Sequence, residues 1–289
     1  MSDQSINTSE QARADVDVLP LASDEISIQP SGFLLELSLD WLVLRASENV
    51  DDFLGESHVT LIDEPLGRFL MAQPLHDLRN LFSRLSGTTG IARAYGVRLT
   101  EQNRRFDVAF QLSEGRVLVE GLLARDRGMG ESLGTVGGLI DGLGDAHGSA
   151  LLEAGARRMR ALSGFDRVTV KCDAGSAQSR RGSLPVATPP ADVPPIVADS
   201  CAAPVPIFPR RPSDRALNCA LLRAPSSETA QQLSRDGIAS CLTVPLGDDG
   251  QFVCENRSGR AASLELHAAA ELFAQMFAMR LEIDRLRSR

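Results

Sequence analysis

The pattern that most constrains the fold of this chain runs from Phe106 to Leu112, where every second residue is apolar. Successive side chains of a β-strand point to opposite faces, so this alternation predicts a strand with one buried face. The turn sequence Ser113-Glu114-Gly115 and a second apolar run over 116–123 follow directly. Together they predict a β-hairpin, which must bury its apolar face against another layer of structure.

Shorter patterns upstream predict the rest of a first domain. Two apolar runs, 33–37 and 41–44, are separated by three residues, which is typical of a hairpin. A helix is predicted from Pro74 to Leu85, because apolar residues recur there on one helical face, and a strand is predicted over 91–99. An antiparallel sheet with helices on one face is the economical way to bury these surfaces.

A change of composition in the middle of the chain marks a domain boundary. The stretch 126–148 contains eight glycines in twenty-three residues and predicts a flexible, weakly helical connector. A helix over 145–162 and a strand over 165–172 are predicted next. The stretch 173–227 is rich in proline and small residues, and a loop of that length is typical of a functional or disordered segment.

The end of the chain predicts two strands and a long terminal helix. The strands are predicted over 238–246 and 251–254, and the helix over 261–287. Apolar residues in this helix alternate by four and three, which is the spacing of a helix–helix seam about two heptads long. We expect the seam to pack on the domain at its start and on a partner helix further along. It consists of Leu272, Met276, Met279, Ile283 and Leu286.

Two motifs carry a family resemblance. The segment Ile28-Gln29-Pro30-Ser31-Gly32-Phe33-Leu34-Leu35 is similar to the opening of the PAS domain of bacterial phytochromes, with Ser31 where that family has histidine. The segment Leu162-Ser163-Gly164-Phe165-Asp166-Arg167-Val168 is similar to the entry of the GAF domain that follows it there. The resemblance implies an α+β fold: two antiparallel-sheet domains, PAS then GAF, with a long C-terminal helix and a knot-forming N-terminal segment.

The resemblance and the composition together suggest a domain plan. Residues 1–24 are polar and acidic, which predicts a disordered tail. A PAS domain is expected over 25–126, a glycine-rich linker over 127–147, and a GAF domain with a C-terminal dimerisation helix over 148–289. A chain of this length ends before the PHY and kinase output domains that the family carries.

The resemblance also implies a bilin site. Asp192-Val193-Pro194 is similar to the family's Asp-Ile-Pro, whose aspartate carbonyl accepts hydrogen bonds from the bilin's pyrrole nitrogens. Arg223 ends a segment similar to the family's Ala-x-Leu-Arg, and onward alignment places Thr229 where the family has a bilin-packing histidine. The cations for the bilin propionates could come from Arg210, Arg211, Arg215 and Arg223. If bilin binds, the cofactor-binding residues are therefore Asp192, Val193, Pro194, Arg223 and Thr229.

Several bilin-binding features of the family are missing. The family's thioether-forming cysteine lies upstream of the PAS motif, whereas the first cysteine of this chain is Cys172. The segments 196–199 and 204–209 nearly abut, so the propionate-binding arginine that separates them in the family is absent. The closing strand, reduced to Val253-Cys254-Glu255-Asn256, lacks the family's histidine. We therefore expect no cofactor, with biliverdin as the alternative, not linked as a thioether to an N-terminal cysteine.

Composition excludes several functions. The net charge of −8 disfavours nucleic acid as a partner, because phosphates would repel such a surface. No apolar run predicts a membrane span or signal peptide, so a cytoplasmic location is expected. The five cysteines and four histidines lack the spacing of a metal site, and no catalytic motif is present. A redox role for Cys201, Cys219, Cys241 and Cys254 stays open.

These observations predict a non-catalytic PAS–GAF sensory and signal-transduction protein of the phytochrome type. With an atypical or lost bilin pocket, it would act through contacts with a signalling protein and would form a homodimer. The alternative hypothesis is a non-covalent, bilin-binding red/far-red photoreceptor of minimal PAS–GAF form.

Overall fold

The computed structural model describes residues 26–85, 90–124, 129–182, 192–211, 215–247 and 250–287. The predicted disordered tail, 1–24, lies outside the described residues. Twelve strands and seven α-helices are described. The strands are β1 (Ser27–Ile28), β2 (Gly32–Leu37), β3 (Val43–Ser47), β4 (Ile91–Val97), β5 (Phe106–Ser113), β6 (Arg116–Leu123), β7 (Arg167–Cys172), β8 (Gly175–Arg180), β9 (Ile196–Val197), β10 (Val205–Phe208), β11 (Ser240–Pro245) and β12 (Gln251–Asn256). The helices are α1 (Val50–Leu54), α2 (His58–Leu61), α3 (Ala72–Ser83), α4 (Met129–Asp141), α5 (Gly148–Ser163), α6 (Ser227–Arg235) and α7 (Leu264–Arg287).

The first sheet has seven strands in the order β1-β10-β3-β2-β6-β5-β4, with antiparallel pairing throughout. Helices α1 to α3 cover one face, where Phe106, Val108 and Phe110 are fully buried in the core. The opposite face is buried too, since Gln111 and Glu120 are almost inaccessible to solvent. The alternation in β5 therefore does not mark a solvated face, because a distant part of the chain covers it.

That cover is the lasso segment, defined here as residues 192–211 and 215–224. Its strand β10 inserts between β1 and β3 of the first sheet, although it follows the first strands of the second sheet in sequence. The backbone N–H of Gln29 donates a hydrogen bond to the Leu222 carbonyl at 2.8 Å. In its side chain, Nε2 donates to the Ile196 carbonyl at 2.5 Å, and Oε1 accepts from the Ala198 N–H at 2.7 Å. The lasso segment thus surrounds the N-terminal segment.

The second sheet has five strands in the order β8-β7-β12-β11-β9. Helices α4, α5 and α7 contact one another beside it, and Phe252 of β12 packs against Phe273 and Phe277 of α7. Gly155 of α5 allows the close approach of α7, because a Cβ there would lie 2.3 Å from the Phe277 ring. The result is a second core between the sheet and the helices.

The glycine-rich stretch contains helix α4, in which Val136 is buried against the second core. Leu143, just beyond the helix, is buried in the same core. Packing against α5 and α7 offsets the entropic cost that glycine imposes on a helix. The terminal helix begins at Leu264, three residues later than the sequence pattern predicts, because Ser263 caps its first turn by accepting a hydrogen bond from the Leu266 N–H at 3.1 Å.

The fold class predicted from the sequence is confirmed: two antiparallel sheets, helices beside each, and a long C-terminal helix. None of the helices in the described part of the chain combines the length and apolar character needed to cross a membrane.

Candidate functional site

The structure brings together three of the five predicted site residues. Asp192 lies at the start of the lasso segment, Arg223 near its end, and Thr229 in the first turn of α6. The Arg223 guanidinium donates to both carboxylate oxygens of Asp192, with Nη1–Oδ2 at 3.0 Å and Nη2–Oδ1 at 2.5 Å. The Thr229 hydroxyl donates to the Asp192 backbone carbonyl at 3.5 Å. The two ends of the lasso segment are therefore tied together at this site.

The ion pair favours the ionised form of the Asp192 carboxyl. Hydrogen bonds from Arg223 lower the pKa of the Asp192 carboxyl, with the arginine's charge acting in the same direction. Arg223 is 14% exposed and Asp192 66% exposed, so the pair lies at the rim of the domain with the arginine on the inner side. The backbone carbonyl of Arg223 also accepts a hydrogen bond from the Gln29 amide at 3.1 Å.

Val193 and Pro194 serve packing roles in this structure. Pro194 is buried, and its carbonyl accepts a hydrogen bond from the Thr243 hydroxyl at 3.2 Å. Val193 packs against an apolar cluster that lies between α6 and the second sheet. This α6 cluster consists of Val197, Leu233, Ile238 and Cys241.

Two further arginines of the lasso segment bind the first sheet instead of the Asp192 site. Arg211 lies 3.4 Å from the fully buried Glu36 carboxylate, which also pairs with Arg45 at 3.3 Å. Arg210 lies over the Phe208 ring, with its guanidinium carbon 5.3 Å from the ring centroid. The ion pair of Arg211 with Glu36 links the lasso segment to β2, whereas the Arg210 contact lies within the lasso segment itself.

A buried ion pair that the sequence analysis missed lies on the second sheet. Arg167 of β7 donates to Glu255 of β12 through Nε at 2.6 Å and Nη2 at 2.9 Å, and both side chains are almost completely buried. Phe252 and Cys254 of β12 face the helices of the second core, so Glu255 faces the opposite side of the sheet. A signal existed: both residues lie within motifs of the resemblance, and Glu255 lies in the closing strand that lacks the family's histidine.

The buried cysteines show no redox activation. Burial raises the pKa of the Cys254 thiol to about 12 and also raises the pKa of Cys241. Such thiols stay protonated, and the thiolate is the reactive form. Among the described residues, no cluster of histidine, cysteine and acidic side chains could hold a metal ion.

Comparison with known proteins identifies the class first. Residues 24–120 match the sequence profile of a family described as a PAS fold. No curated protein matches the chain. The fold is that of bacteriophytochrome chromophore-binding domains, so the resemblance predicted from the two motifs is confirmed at the level of the PAS–GAF fold.

Three of the similar structures, from two bacteria, show the extent of the likeness. The chromophore-binding domain of an unusual bacteriophytochrome from R. palustris matches with a TM-score of 0.73 at 23% identity, covering 90% of this chain and 96% of that one. The chromophore-binding domain of Stigmatella aurantiaca phytochrome P1 matches with a TM-score of 0.72 at 24% identity, covering 88% and 95%. A longer structure of the R. palustris protein matches with a TM-score of 0.75, and this chain spans 59% of it.

These comparisons bear on two expectations. All three structures are of phytochromes or bacteriophytochromes, and at 23–24% identity the likeness shows the fold of this chain and not its activity. Two of them are named as chromophore-binding domains, so the expectation that this chain binds no cofactor gains no support from them.

Proposed function

We propose that this chain is a phytochrome-like PAS–GAF sensory module that signals through protein contacts and whose bilin pocket is altered beyond ordinary bilin binding. The observation that carries the proposal is the bidentate ion pair between Asp192 and Arg223. In the bilin-binding arrangement expected from the sequence, the backbone carbonyl of Asp192 and the guanidinium of Arg223 would bind the ligand. Here the Arg223 guanidinium binds the Asp192 carboxylate instead.

The competition is unfavourable for a bilin. A propionate would have to displace the Asp192 carboxylate from Arg223, which already makes two charge-assisted hydrogen bonds within the same molecule. The pyrrole nitrogens would have to share the Asp192 carbonyl with the Thr229 hydroxyl. The α6 cluster also fills space between α6 and the sheet, and a ligand there would have to displace it.

The Arg167–Glu255 pair argues in the same direction. The closing strand carries the Glu255 carboxylate and lacks the family's histidine, and that carboxylate binds Arg167 on the neighbouring strand. Separating a buried ion pair leaves an uncompensated charge, which costs on the order of 3–5 kcal/mol. A bilin contact that drew Glu255 away from Arg167 would therefore have to offset this free-energy cost.

A second candidate is a non-covalent bilin photoreceptor. Two observations favour it: the similar structures are chromophore-binding domains, and the Asp192-Val193-Pro194 tripeptide is retained. Because no cysteine precedes Cys172, the bilin would be held without an N-terminal thioether.

An absorption spectrum separates the two candidates. The chain is produced in cells that also make biliverdin, purified and illuminated with red light, with a bacteriophytochrome chromophore-binding domain from the same cells as the positive control. We expect no band above the background of free biliverdin. A red or far-red band that changes on illumination would establish the photoreceptor and overturn the first proposal.

A matched pair of variants then tests the role of Arg223. In a coloured protein, Arg223→Ala should abolish the band if Arg223 binds a propionate, whereas Arg211→Ala should keep it, because Arg211 binds Glu36 on the first sheet. Equal colour in both variants would remove Arg223 from the bilin site.

The remaining features of the proposal concern partners and location. A homodimer and a signalling protein are the proposed partners, and the cytoplasm is the proposed location. The exposed apolar residues at the end of α7, Met279, Ile283 and Leu286, support a partner helix there. The net charge of −8 supports a partner other than nucleic acid or a membrane surface.

A further inference from the structure

A cavity of about 410 Å³ lies between the two sheets and shares Val197 and Cys241 with the α6 cluster. The ends of β5 and β6 form one side, and the end of α5, strand β9 and the start of α7 form the other. Its volume is in the range of small-molecule sites, which occur preferentially at domain interfaces. None of the residues discussed above as bilin-binding candidates lines it.

One part of the cavity lining is acidic. Asp107 and Glu265 both line the cavity and come from different domains. Burial raises the pKa of the Asp107 carboxyl, and the charge of Glu265 raises it further, against the effect of a hydrogen bond from the Gly96 N–H at 3.0 Å. A cation between Asp107 and Glu265 would stabilise both carboxylates.

Another part of the lining attracts anions. Arg260 lines the cavity, with its guanidinium carbon 4.5 Å from the centroid of the Phe165 ring and Nη1 2.6 Å from the Gly164 carbonyl. Helix α7 starts at Leu264 beside this arginine, and its first residues line the same cavity. The N-terminus of a helix carries a positive partial charge, but Glu265 in the first turn of α7 offsets part of it, so Arg260 supplies the main attraction for an anion.

The rest of the wall is apolar. Side chains from both sheets contribute, so a ligand with a short hydrocarbon group would bury it against residues that all belong to the second core or pack against it. These residues are Leu122, Leu162, Ile196, Leu242 and Leu266.

We infer that this cavity binds a small zwitterion with an apolar side chain, that is, an aliphatic α-amino acid. Its ammonium group lies against Asp107 and Glu265, its carboxylate faces Arg260 and the start of α7, and its side chain contacts the leucine-rich wall. The ligand bridges the two domains. This inference does not rest on the fate of the bilin pocket.

The first experiment is isothermal titration calorimetry of the whole chain with L-leucine. Two analogues each lack one charge: 4-methylpentanoate has no ammonium group and 3-methylbutylamine has no carboxylate. We expect L-leucine to bind and each analogue to bind at least about tenfold more weakly, because a charged partner is left without its hydrogen bond. Absence of binding by L-leucine, or equal binding by either analogue, would overturn the inference.

Variants test the location. Asp107→Asn and Arg260→Gln should each weaken L-leucine binding at least about tenfold. Ala262→Leu, which fills the cavity from a partly exposed position, should block it without removing a charge. Glu153→Gln is the matched control, because this exposed carboxylate lines a different hollow between α5 and β8. Circular dichroism verifies that each variant is folded, and unchanged binding in folded Asp107→Asn and Ala262→Leu would place the site elsewhere.

Discussion

The side chain of Glu120, on β6, connects the first sheet to the lasso segment by hydrogen bonds. Its Oε1 accepts a hydrogen bond from the Leu222 N–H at 2.7 Å, and its Oε2 accepts from the Leu221 N–H at 3.0 Å and from Gln111 Nε2 at 3.2 Å. Burial raises the pKa of this carboxyl to about 7, against the effect of these hydrogen bonds and of the Arg93 charge. The group therefore titrates near neutral pH within the interface.

A pH dependence of stability follows. Because the pKa of Glu120 is higher in the folded than in the unfolded chain, its contribution to stability is full below about pH 4.5 and is lost as the pH rises through about 7. The free energy of unfolding should therefore fall between about pH 5 and about pH 8, with Glu120 contributing on the order of 3 kcal/mol. Glu120→Gln should make this fall smaller, as measured by urea unfolding at both pH values.

The control for this prediction is Glu114→Gln, in the exposed turn between β5 and β6. It should retain the pH dependence of the unmodified chain. An equally steep fall in Glu120→Gln and Glu114→Gln would show that Glu120 is not the titrating group.

Among single residues, those that lie in a recognisable motif could be predicted from the sequence, whereas those whose role depends on a tertiary contact could not. Asp192, Arg223 and Thr229 were predicted from their places in a known pattern, and the structure brings them together. The sequence could not predict the ion pair between Arg223 and Asp192, because the two residues are 31 positions apart and meet only in the folded chain. The Arg167–Glu255 pair was missed because it depends on the register of two strands.

Helix α7 carries apolar residues on two different faces, one buried in the second core and one that forms the predicted seam. Phe273 and Phe277 are fully buried in the second core, whereas the predicted seam lies on another face. Leu272 and Met276 are partly buried at the edge of that core. Met279, Ile283 and Leu286 are 61%, 46% and 59% exposed, so the second half of the seam has no cover within the described chain.

We expect this exposed half to form the homodimer interface. Met279→Asp combined with Ile283→Asp should convert dimers to monomers, because two carboxylates would be buried without partners. Size-exclusion chromatography with light scattering measures the mass directly.

Arg285→Asp is the matched control for the helix. It also introduces an acidic side chain at an exposed position of α7, but away from the seam. This variant should remain dimeric. If the double variant also remains dimeric, the interface lies elsewhere on the surface.

At the scale of the whole molecule, the two domains share one chain segment rather than a simple linker. Strand β10 comes after β7 to β9 in sequence but completes the first sheet. The predicted plan of a PAS domain over 25–126 and a GAF domain over 148–289 rests on the two motifs of the resemblance and on local composition. Strand pairing across such a distance leaves no local signal, so the sequence pattern could not reveal that residues 205–208 belong to the first sheet.

Shared structure predicts cooperative unfolding of the two domains. Trp41, the only tryptophan, is buried in the first core and reports on that domain by fluorescence. Cys241 and Cys254 are buried in the second domain and report on it by their reaction with a thiol reagent. We expect both probes to change at the same urea concentration, because loss of either sheet removes strand partners or lasso contacts from the other. A tryptophan transition well separated from the exposure of these two thiols would contradict it.

The place of β10 also has a consequence for how the protein is made. As the ribosome releases the chain from its N-terminus, β1 and β3 each wait with an open edge until residues 205–208 emerge. The first sheet is therefore completed only after much of the second domain has been translated. A gene fusion that exchanged one domain at the 127–147 boundary would separate β10 from its two partner strands, β1 and β3. We therefore expect natural recombination to transfer the two domains together.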